Sequence, residues 1–281
     1  MAEVLPTAYL NGEFLPVETA RISPLDRGFL FGDAVYEVIP VFGGKALLLD
    51  AHLARLAKSL EALGITDPLP ESGWRDLISR LAQENGGGDM GVYLQVSRGA
   101  DRGRDHAFPE DLQPTVFGMA SPAPAPRTEG LRAITLPDTR WGRCDIKATA
   151  LLANVLARQT AVEAGADEAI LVWNGEVTEG ASSSVILREG DELVRRANSE
   201  AILPGTTTDL VVELAATAGF QCREESIPVA RLLAADEVWI ASAMRGVAAV
   251  VNIDGKTIAG GQPGTAWQAV SRAFEAFKYE Q

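Results

Sequence analysis

The chain reads RCDIKAT at residues 143–149, directly before an apolar run at residues 151–157. Only five of its 25 basic residues are lysines, and Lys147 is the one that lies in such an apolar setting. Burial favours the neutral amine of a lysine over its ammonium form, and only the neutral amine is a nucleophile. The segment therefore predicts a reactive lysine beside an apolar helix. A lysine whose ammonium group reaches solvent at the helix start is the structural alternative.

The composition narrows the classes of partner. The chain has 281 residues, a formal net charge of −13 and a pI near 4.7, which argues against a nucleic-acid binder because phosphate recognition needs a basic face. Its first ten residues lack the basic and apolar regions of a signal peptide. No run of about 18 apolar residues occurs. We therefore expect a cytoplasmic protein with small-molecule partners and no nucleic-acid or membrane partner. Cys144 and Cys222, the only cysteines, indicate reduced, buried thiols and no metal site.

A proline-rich segment divides the chain. Residues 122–126 read PAPAP, which is typical of an extended, semi-rigid linker. We predict a small N-terminal α+β domain at residues 1–120, a linker at residues 121–127 and a larger C-terminal domain at residues 128–281. In the first domain, the patterns predict strands at residues 8–10, 34–42, 91–97 and 115–120 and helices at residues 50–63 and 74–84, the first of them capped by Asp50. In the second, they predict strands at residues 131–136, 169–173, 176–178, 185–187 and 237–242 and helices at residues 151–164, 208–218 and 266–277.

Two charged side chains lie where they could bind a ligand. Glu179 follows a predicted strand and precedes a turn of small polar residues, so its carboxylate faces either a cleft or solvent. Arg55 lies off the leucine stripe of its predicted helix, so its guanidinium either is solvated or binds a phosphate through two hydrogen bonds.

Residues 203–209 read LPGTTTD and open a predicted helix. The free N–H groups at a helix start, with hydroxyls nearby, form a phosphate cradle. The same residue types serve ordinary helix capping, and both interpretations remain open from the sequence.

The loop at residues 98–106 gathers three arginines and one of the two histidines of this acidic chain. Arg104 and His106 are two positions apart, so in an extended segment both project to one side and could donate to one carboxylate. In the alternative interpretation, the loop is solvated and Asp101 and Asp105 neutralise its arginines.

Taken in order, these segments resemble the branched-chain and D-amino-acid transaminase family, the fold-type IV pyridoxal-phosphate (PLP) enzymes, over nearly the whole chain. The motifs that carry the resemblance are DRGFLFGD at residues 26–33, VYE at 35–37, HLARL at 52–56, CDIK at 144–147, VTEG at 177–180 and ILPG at 202–205. The resemblance implies an α+β fold of two α/β domains, with PLP between the small N-terminal domain and the larger C-terminal domain.

The resemblance also assigns roles by position. It implies that Lys147 binds PLP covalently and moves the substrate proton, and that Glu179 contacts the pyridine nitrogen. Arg55, Thr206 and Thr207 inherit the phosphate contacts. The remaining cofactor-binding positions are Ser182, Leu203, Ser242 and Ala243.

Within the family, the D-amino-acid transaminases are the most similar group. Arg104 and His106, helped by Tyr36, match their element for the substrate α-carboxylate, and residues 180–183 (GASS) match their serine run. The implied function is transamination between D-amino acids, such as D-alanine or D-glutamate, and 2-oxo acids, by a homodimer. The alternatives are a branched-chain L-amino-acid transaminase, an (R)-amine transaminase, an aminodeoxychorismate lyase-like enzyme and a ligand-binding protein that retains only the fold.

The chain departs from the family pattern at two places. Ser184 replaces a usual asparagine after the serine run. Ala243 and Met244 replace hydroxyl residues, so backbone N–H groups remain for the phosphate there. Arg245 is a further unusual residue, which could extend the carboxylate-binding element, favour acidic side chains or shift the enzyme towards (R)-amines.

Overall fold

The computed structural model describes residues 3–280, which form two compact units. The first unit contains residues 3–124 and Ile146–Ala150, and the second contains Ala125–Asp145 and Leu151–Glu280. The boundary after Pro124 lies inside the proposed linker at residues 121–127. The structure differs from the proposed domain at 128–281 in placing Ile146–Ala150 with the first unit. The reason is backbone hydrogen bonding, since Tyr36 N–H donates to the Lys147 carbonyl at 2.9 Å.

The first unit is a six-stranded sheet with two long helices. Its strands are β1 (Thr7–Leu10), β2 (Glu13–Pro16), β3 (Ala34–Phe42), β4 (Lys45–Ala46), β5 (Met90–Ser97) and β6 (Thr115–Pro122). Its helices are α1 (Arg27–Phe31), α2 (Leu49–Leu63) and α3 (Glu71–Glu84). The strand order is β2-β1-β6-β5-β3-β4, and every pair is antiparallel. Strand β6 includes the first two residues of the proposed linker, because Ser121 and Pro122 pair with Gly91 and Met90 of β5.

Helices α2 and α3 pack apolar faces into the core of this unit. Buried core residues include Leu56, Leu60, Trp74 and Leu81, at the spacing of one helix face. Helix α2 ends at Gly64, whose φ of +61° suits glycine. The prediction that Asp50 caps α2 is wrong: the N-cap is Leu48, and Asp50 lies in the first turn.

The second unit is built on a nine-stranded sheet. Its strands are β7 (Leu131–Pro137), β8 (Glu168–Trp173), β9 (Glu176–Gly180), β10 (Ser184–Glu189), β11 (Glu192–Arg195), β12 (Gln221–Glu224), β13 (Glu237–Ser242), β14 (Gly246–Ile253) and β15 (Lys256–Thr257). Its helices are α4 (Leu152–Glu163), α5 (Thr206–Thr217), α6 (Val229–Ala234) and α7 (Thr265–Glu280). The strand order is β12-β11-β10-β13-β14-β7-β8-β9, with β15 paired to β14. These units confirm the predicted α+β class.

Three strand pairs of the second unit are parallel, and they connect segments distant in sequence. Strand β14 pairs with β7, β7 with β8, and β11 with β12. The β8–β9 hairpin turns at Asn174 and Gly175, which both have positive φ, as the sequence predicts. Cys144 and Cys222 are free and half-buried rather than buried. Among residues 3–280, no helix is both long and apolar enough to cross a membrane.

Candidate active site

The backbone of Lys147, which belongs to the first unit, is held by two hydrogen bonds. Its carbonyl accepts from Tyr36 N–H at 2.9 Å, and its own N–H donates to Ser59 Oγ at 3.2 Å. The flanking side chains of Ile146 and Ala148 are buried, whereas Lys147 itself is half-buried. Its Nζ lies 4.2 Å from the centre of the Tyr36 ring, close enough for a cation–π contact. The structure therefore brings together two of the predicted site residues, Lys147 and Tyr36.

Glu37, His52 and Arg55 form a buried charged cluster in the same unit. Arg55 donates from Nε to Glu37 Oε1 at 2.7 Å and from NH2 to Oε2 at 2.8 Å, and His52 Nδ1 lies 2.8 Å from Oε2. Burial alone would raise the pKa of Glu37, but Arg55 and His52 outweigh it and lower that pKa to about 2. Burial lowers the pKa of His52, and the charges of Arg55 and Lys147 act in the same direction, against Glu37. The solvated alternative for Arg55 is wrong, because the side chain is only 11% exposed.

The structure brings Arg104 and His106 to one aromatic ring. Arg104 Cζ lies 5.0 Å from the centre of the Phe31 ring, and the His106 ring lies 5.3 Å from it. Both side chains are exposed. Asp105 accepts from Ala107 N–H, so this carboxylate organises the loop backbone.

Arg27 anchors this loop from α1. Its NH1 group donates to the carbonyls of Asp105 at 2.7 Å and Ala107 at 3.2 Å, and NH2 donates to that of His106 at 3.1 Å. Arg27 Nε also donates to Asp33 at 2.8 Å. Because one buried guanidinium binds three successive carbonyls, the backbone that carries His106 is fixed.

Glu179 lies at the end of a buried hydrogen-bond network in the second unit. Its Oε1 accepts from Arg140 NH1, and both carboxylate oxygens lie within 3.3 Å of Leu203 N–H. Arg140 also donates to both oxygens of Asp138, at 3.0 and 2.7 Å. Burial acts to raise the pKa of Asp138, but hydrogen bonds from Arg140 and Thr178 lower it. Glu179 is thus a buried, oriented carboxylate, and the solvated alternative is wrong.

The N-terminus of α5 fits a phosphate group. The N-cap is Gly205, which has no side chain to form a capping bond, and the first N–H groups of a helix suit an anion. A Cβ on Gly205 would lie 2.6 Å from Thr208 Oγ1 and 2.7 Å from Ser184 Oγ. Within residues 3–280, Thr208 Oγ1 is one of two buried side-chain polar atoms that lack a hydrogen-bond partner. Thr206 and Thr207 are buried beside it.

Ser182 lies near a second buried carboxylate. Ser182 Oγ is 3.3 Å and Ser183 Oγ is 3.0 Å from Glu168 Oε2, which also accepts from Arg245 at 3.0 Å. Ser242 ends β13, and Ala243 begins the turn into β14.

Glu37, Arg140 and Glu168 are not identified by the sequence patterns, although each contacts a predicted site residue. Glu37 lies within the quoted VYE motif, so the motif was the signal available. Arg140 and Glu179 are 39 positions apart, and Glu168 and Arg245 are 77 apart, so no local pattern joins them.

The chain is similar to known proteins over most of its length. The family model described as Amino-transferase class IV matches residues 34–253. The D-alanine aminotransferase of Bacillus licheniformis is 39% identical over 268 residues, which are 94% of each chain. That of Staphylococcus epidermidis is 36% identical over 273 residues, or 96% of each chain.

A solved structure shows the same fold. The branched-chain amino acid aminotransferase of Escherichia coli has a TM-score of 0.90 and 21% identity, over 97% of this chain and 94% of that one. At this identity the likeness concerns the fold alone. The family match and the relatives together show that the chain belongs to the class IV aminotransferases, which are PLP-dependent enzymes.

Proposed function

We propose that this enzyme transfers amino groups between D-amino acids and 2-oxo acids. The observation that carries the proposal is that both Arg104 and His106 lie against the Phe31 ring, at 5.0 and 5.3 Å from its centre. A guanidinium and an imidazole beside one aromatic ring can both donate to a single carboxylate. The 39% identity to a D-alanine aminotransferase supports the same substrate class. Family membership argues against the binding-protein alternative, and the branched-chain alternative rests on structures that share the fold.

We propose that Lys147 binds the cofactor and moves the substrate proton. Bound PLP supplies an electron sink for bond changes at the substrate Cα. The Lys147 amine would take the proton from the substrate Cα as a base and then, as an acid, deliver it to C4′ of the cofactor. The backbone bonds to Tyr36 and Ser59 orient the lysine for both steps.

Glu179 is proposed to contact the pyridine nitrogen of the cofactor. A carboxylate there favours the protonated ring nitrogen. Arg140 stabilises the anionic form of Glu179, and Leu203 N–H fixes the direction of its oxygens. The proposed role of Leu203 is therefore to orient Glu179 through its backbone N–H group.

The phosphate is proposed to bind at the start of α5. Thr206 and Thr207 lie in its first turn, and the unpartnered Thr208 hydroxyl adds a donor. Arg55, Ser242 and Ala243 are the other proposed contacts. At Ala243 only the backbone N–H is available, since alanine has no side-chain donor.

Substitution of Arg104 tests the substrate class. Loss of a charged donor to the α-carboxylate costs about 1.5–3 kcal/mol, or roughly ten- to over a hundred-fold in kcat/KM. Arg104→Leu is therefore expected to reduce kcat/KM for D-alanine by that factor. Turnover of (R)-phenylethylamine, which has no carboxylate, is expected to change little. Steady-state kinetics on both donors measure the difference.

Arg102→Leu is the matched control, because Arg102 is an exposed arginine of the same loop and its loss is expected to leave both donors unaffected. Equal losses on the two donors in Arg104→Leu would make Arg104 a structural residue. A wild-type preference for L-leucine over D-alanine would refute the D-amino-acid proposal.

We further propose a cytoplasmic homodimer. Leu152, Val155 and Leu156 of α4 are exposed apolar side chains, with 73%, 59% and 59% exposure. An apolar surface of this kind on a helix favours association with a second copy.

A further inference from the structure

Glu168 is a fully buried carboxylate at the start of β8, with 0% exposure. Its Oε2 accepts from Arg245 NH1 at 3.0 Å, from Ser183 Oγ at 3.0 Å and from Ser182 Oγ at 3.3 Å. Its Oε1 accepts from the N–H of Ala169 at 3.1 Å. Four donors therefore converge on one carboxylate within the second unit.

The charge of Glu168 requires a partner at this depth. A buried carboxylate is costly unless it is both hydrogen-bonded and paired with a cation. Arg245 supplies that cation, and its side chain is itself only 26% exposed. This contact binds the NH1 group of Arg245 to the protein.

The pair connects two turns of the sheet. Arg245 lies in the β13–β14 turn, which also contains Ala243, and the two serines lie in the β9–β10 turn that follows Glu179. Each serine hydroxyl has one proton. Because both hydroxyls donate to Glu168, their O–H bonds are fixed in direction as well as position.

The serine turn is packed tightly against the strand that carries Glu179. Gly180 N–H donates to the Ser183 carbonyl at 2.6 Å. A Cβ on Gly180 would lie 2.2 Å from Ser183 Oγ. A displacement of Ser183 is therefore transmitted directly to Gly180, the neighbour of Glu179.

We propose that Arg245 is a positioning residue of this transaminase: through Glu168 it fixes the Ser182–Ser183 turn beside Glu179, and it does not bind the substrate side chain. The inference rests on the proposed function for its catalytic consequence. The structural coupling between Arg245 and Glu168 can be tested without turnover.

The test compares Arg245→Leu, Arg245→Lys, Glu168→Gln and the double variant Arg245→Leu/Glu168→Gln. Arg245→Leu leaves a buried charge without its cation, so the Tm of the cofactor-free protein is expected to fall by about 5 °C or more. The double variant has no buried charge and is expected to recover at least half of this loss. Arg245→Lys keeps the charge and is expected to remain close to wild type.

The second measurement is the affinity for PLP, with kcat and KM for D-alanine and D-glutamate. Arg245→Leu is expected to weaken PLP binding about tenfold, since both connected turns contain proposed cofactor contacts. The two substrates are expected to lose kcat equally, with KM little changed. Arg245→Lys is expected to restore both values.

Arg223→Leu is the control for loss of an arginine, because Arg223 forms exposed ion pairs with Glu192 and Glu225. The proposal is overturned if Arg245→Leu matches this control in Tm, or if the double variant is no more stable than Arg245→Leu. It is also overturned if kcat/KM falls for D-glutamate alone. Absence of D-amino-acid turnover in wild type would refute the proposed function while the Tm comparison still tests the coupling.

Discussion

Lys147 lies in a segment whose backbone is hydrogen-bonded to two residues of the same unit. Tyr36 and Ser59 bind its carbonyl and N–H, and Tyr36 also contacts its amine through the ring. A nucleophilic lysine needs a fixed path to its electrophile, because a flexible four-carbon side chain otherwise samples many directions.

Lys147→Ala is expected to abolish the visible absorption band of the bound cofactor and all turnover, because the segment at residues 143–149 has no other lysine to bind the cofactor covalently. Borohydride reduction of the wild-type protein, followed by peptide mapping, identifies the labelled residue. Lys58→Ala is the control, since Lys58 is exposed on α2. A label on a lysine other than Lys147 would show that the nucleophile is assigned incorrectly.

At the scale of elements, the start of α5 depends on the absence of a side chain at Gly205. The backbone of Gly205, with φ −88° and ψ 107°, is accessible to alanine. The barrier is steric, because a Cβ would approach Thr208 Oγ1 and Ser184 Oγ to within 2.7 Å. The two hydroxyls would have to move away from the helix start.

Gly205→Ala is therefore expected to destabilise the protein by about 1–3 kcal/mol and to weaken PLP binding about tenfold. Thermal unfolding without cofactor and PLP titration measure the two effects separately. Gly88→Ala is the matched control, since a Cβ there meets no atom within 4 Å. If Gly205→Ala binds PLP as tightly as Gly88→Ala does, the start of α5 is not part of the phosphate site.

Elements with a clear local pattern could be predicted from the sequence. Strands β3 and β13 have the predicted bounds. In the sequence, Gly43 and Gly44 mark the end of β3, and Asp236 precedes β13. Strand β14 was not predicted. Its sequence, GVAAVVNI, is nearly all apolar and therefore lacks the alternation of a half-buried strand. Its pairing with β7, β13 and β15 defines it.

Site residues, like strands, could be predicted from the sequence only where a local pattern marks them. Lys147 and Glu179 could be proposed as site residues because each belongs to a short motif. Arg140 could not, because it becomes significant only through contacts with Glu179 and Thr178, which lie 39 and 38 positions away. The role of Arg245 stays open from the sequence for the same reason, since its partner lies on β8.

For the whole molecule, two electrostatic effects oppose each other as pH falls. The net charge of −13 decreases towards zero near the pI of 4.7, which relieves self-repulsion and favours the folded state. The buried cluster acts in the opposite direction. Glu37 has a pKa lowered from 4.5 to about 2, so its stabilisation is complete above pH 4.5 and is lost as pH falls towards 2. His52 has a pKa lowered from 6.5, so unfolding takes up its proton below pH 6.5.

We expect the specific cluster to dominate over the net charge. The Glu37 shift alone corresponds to about 3 kcal/mol, and its partners lie within 3 Å, a separation at which salt screens a buried pair little. The Tm of the cofactor-free protein is therefore expected to fall continuously from pH 7 to pH 3, measured by circular dichroism at constant ionic strength. The Glu37→Gln variant is expected to be less stable than wild type at pH 7, and its Tm is expected to vary less with pH below 4.5. Glu61→Gln is the control, because Glu61 is exposed on α2. Its Tm is expected to follow that of wild type at each pH. A wild-type stability maximum near pH 4.7 would mean instead that self-repulsion outweighs the buried cluster.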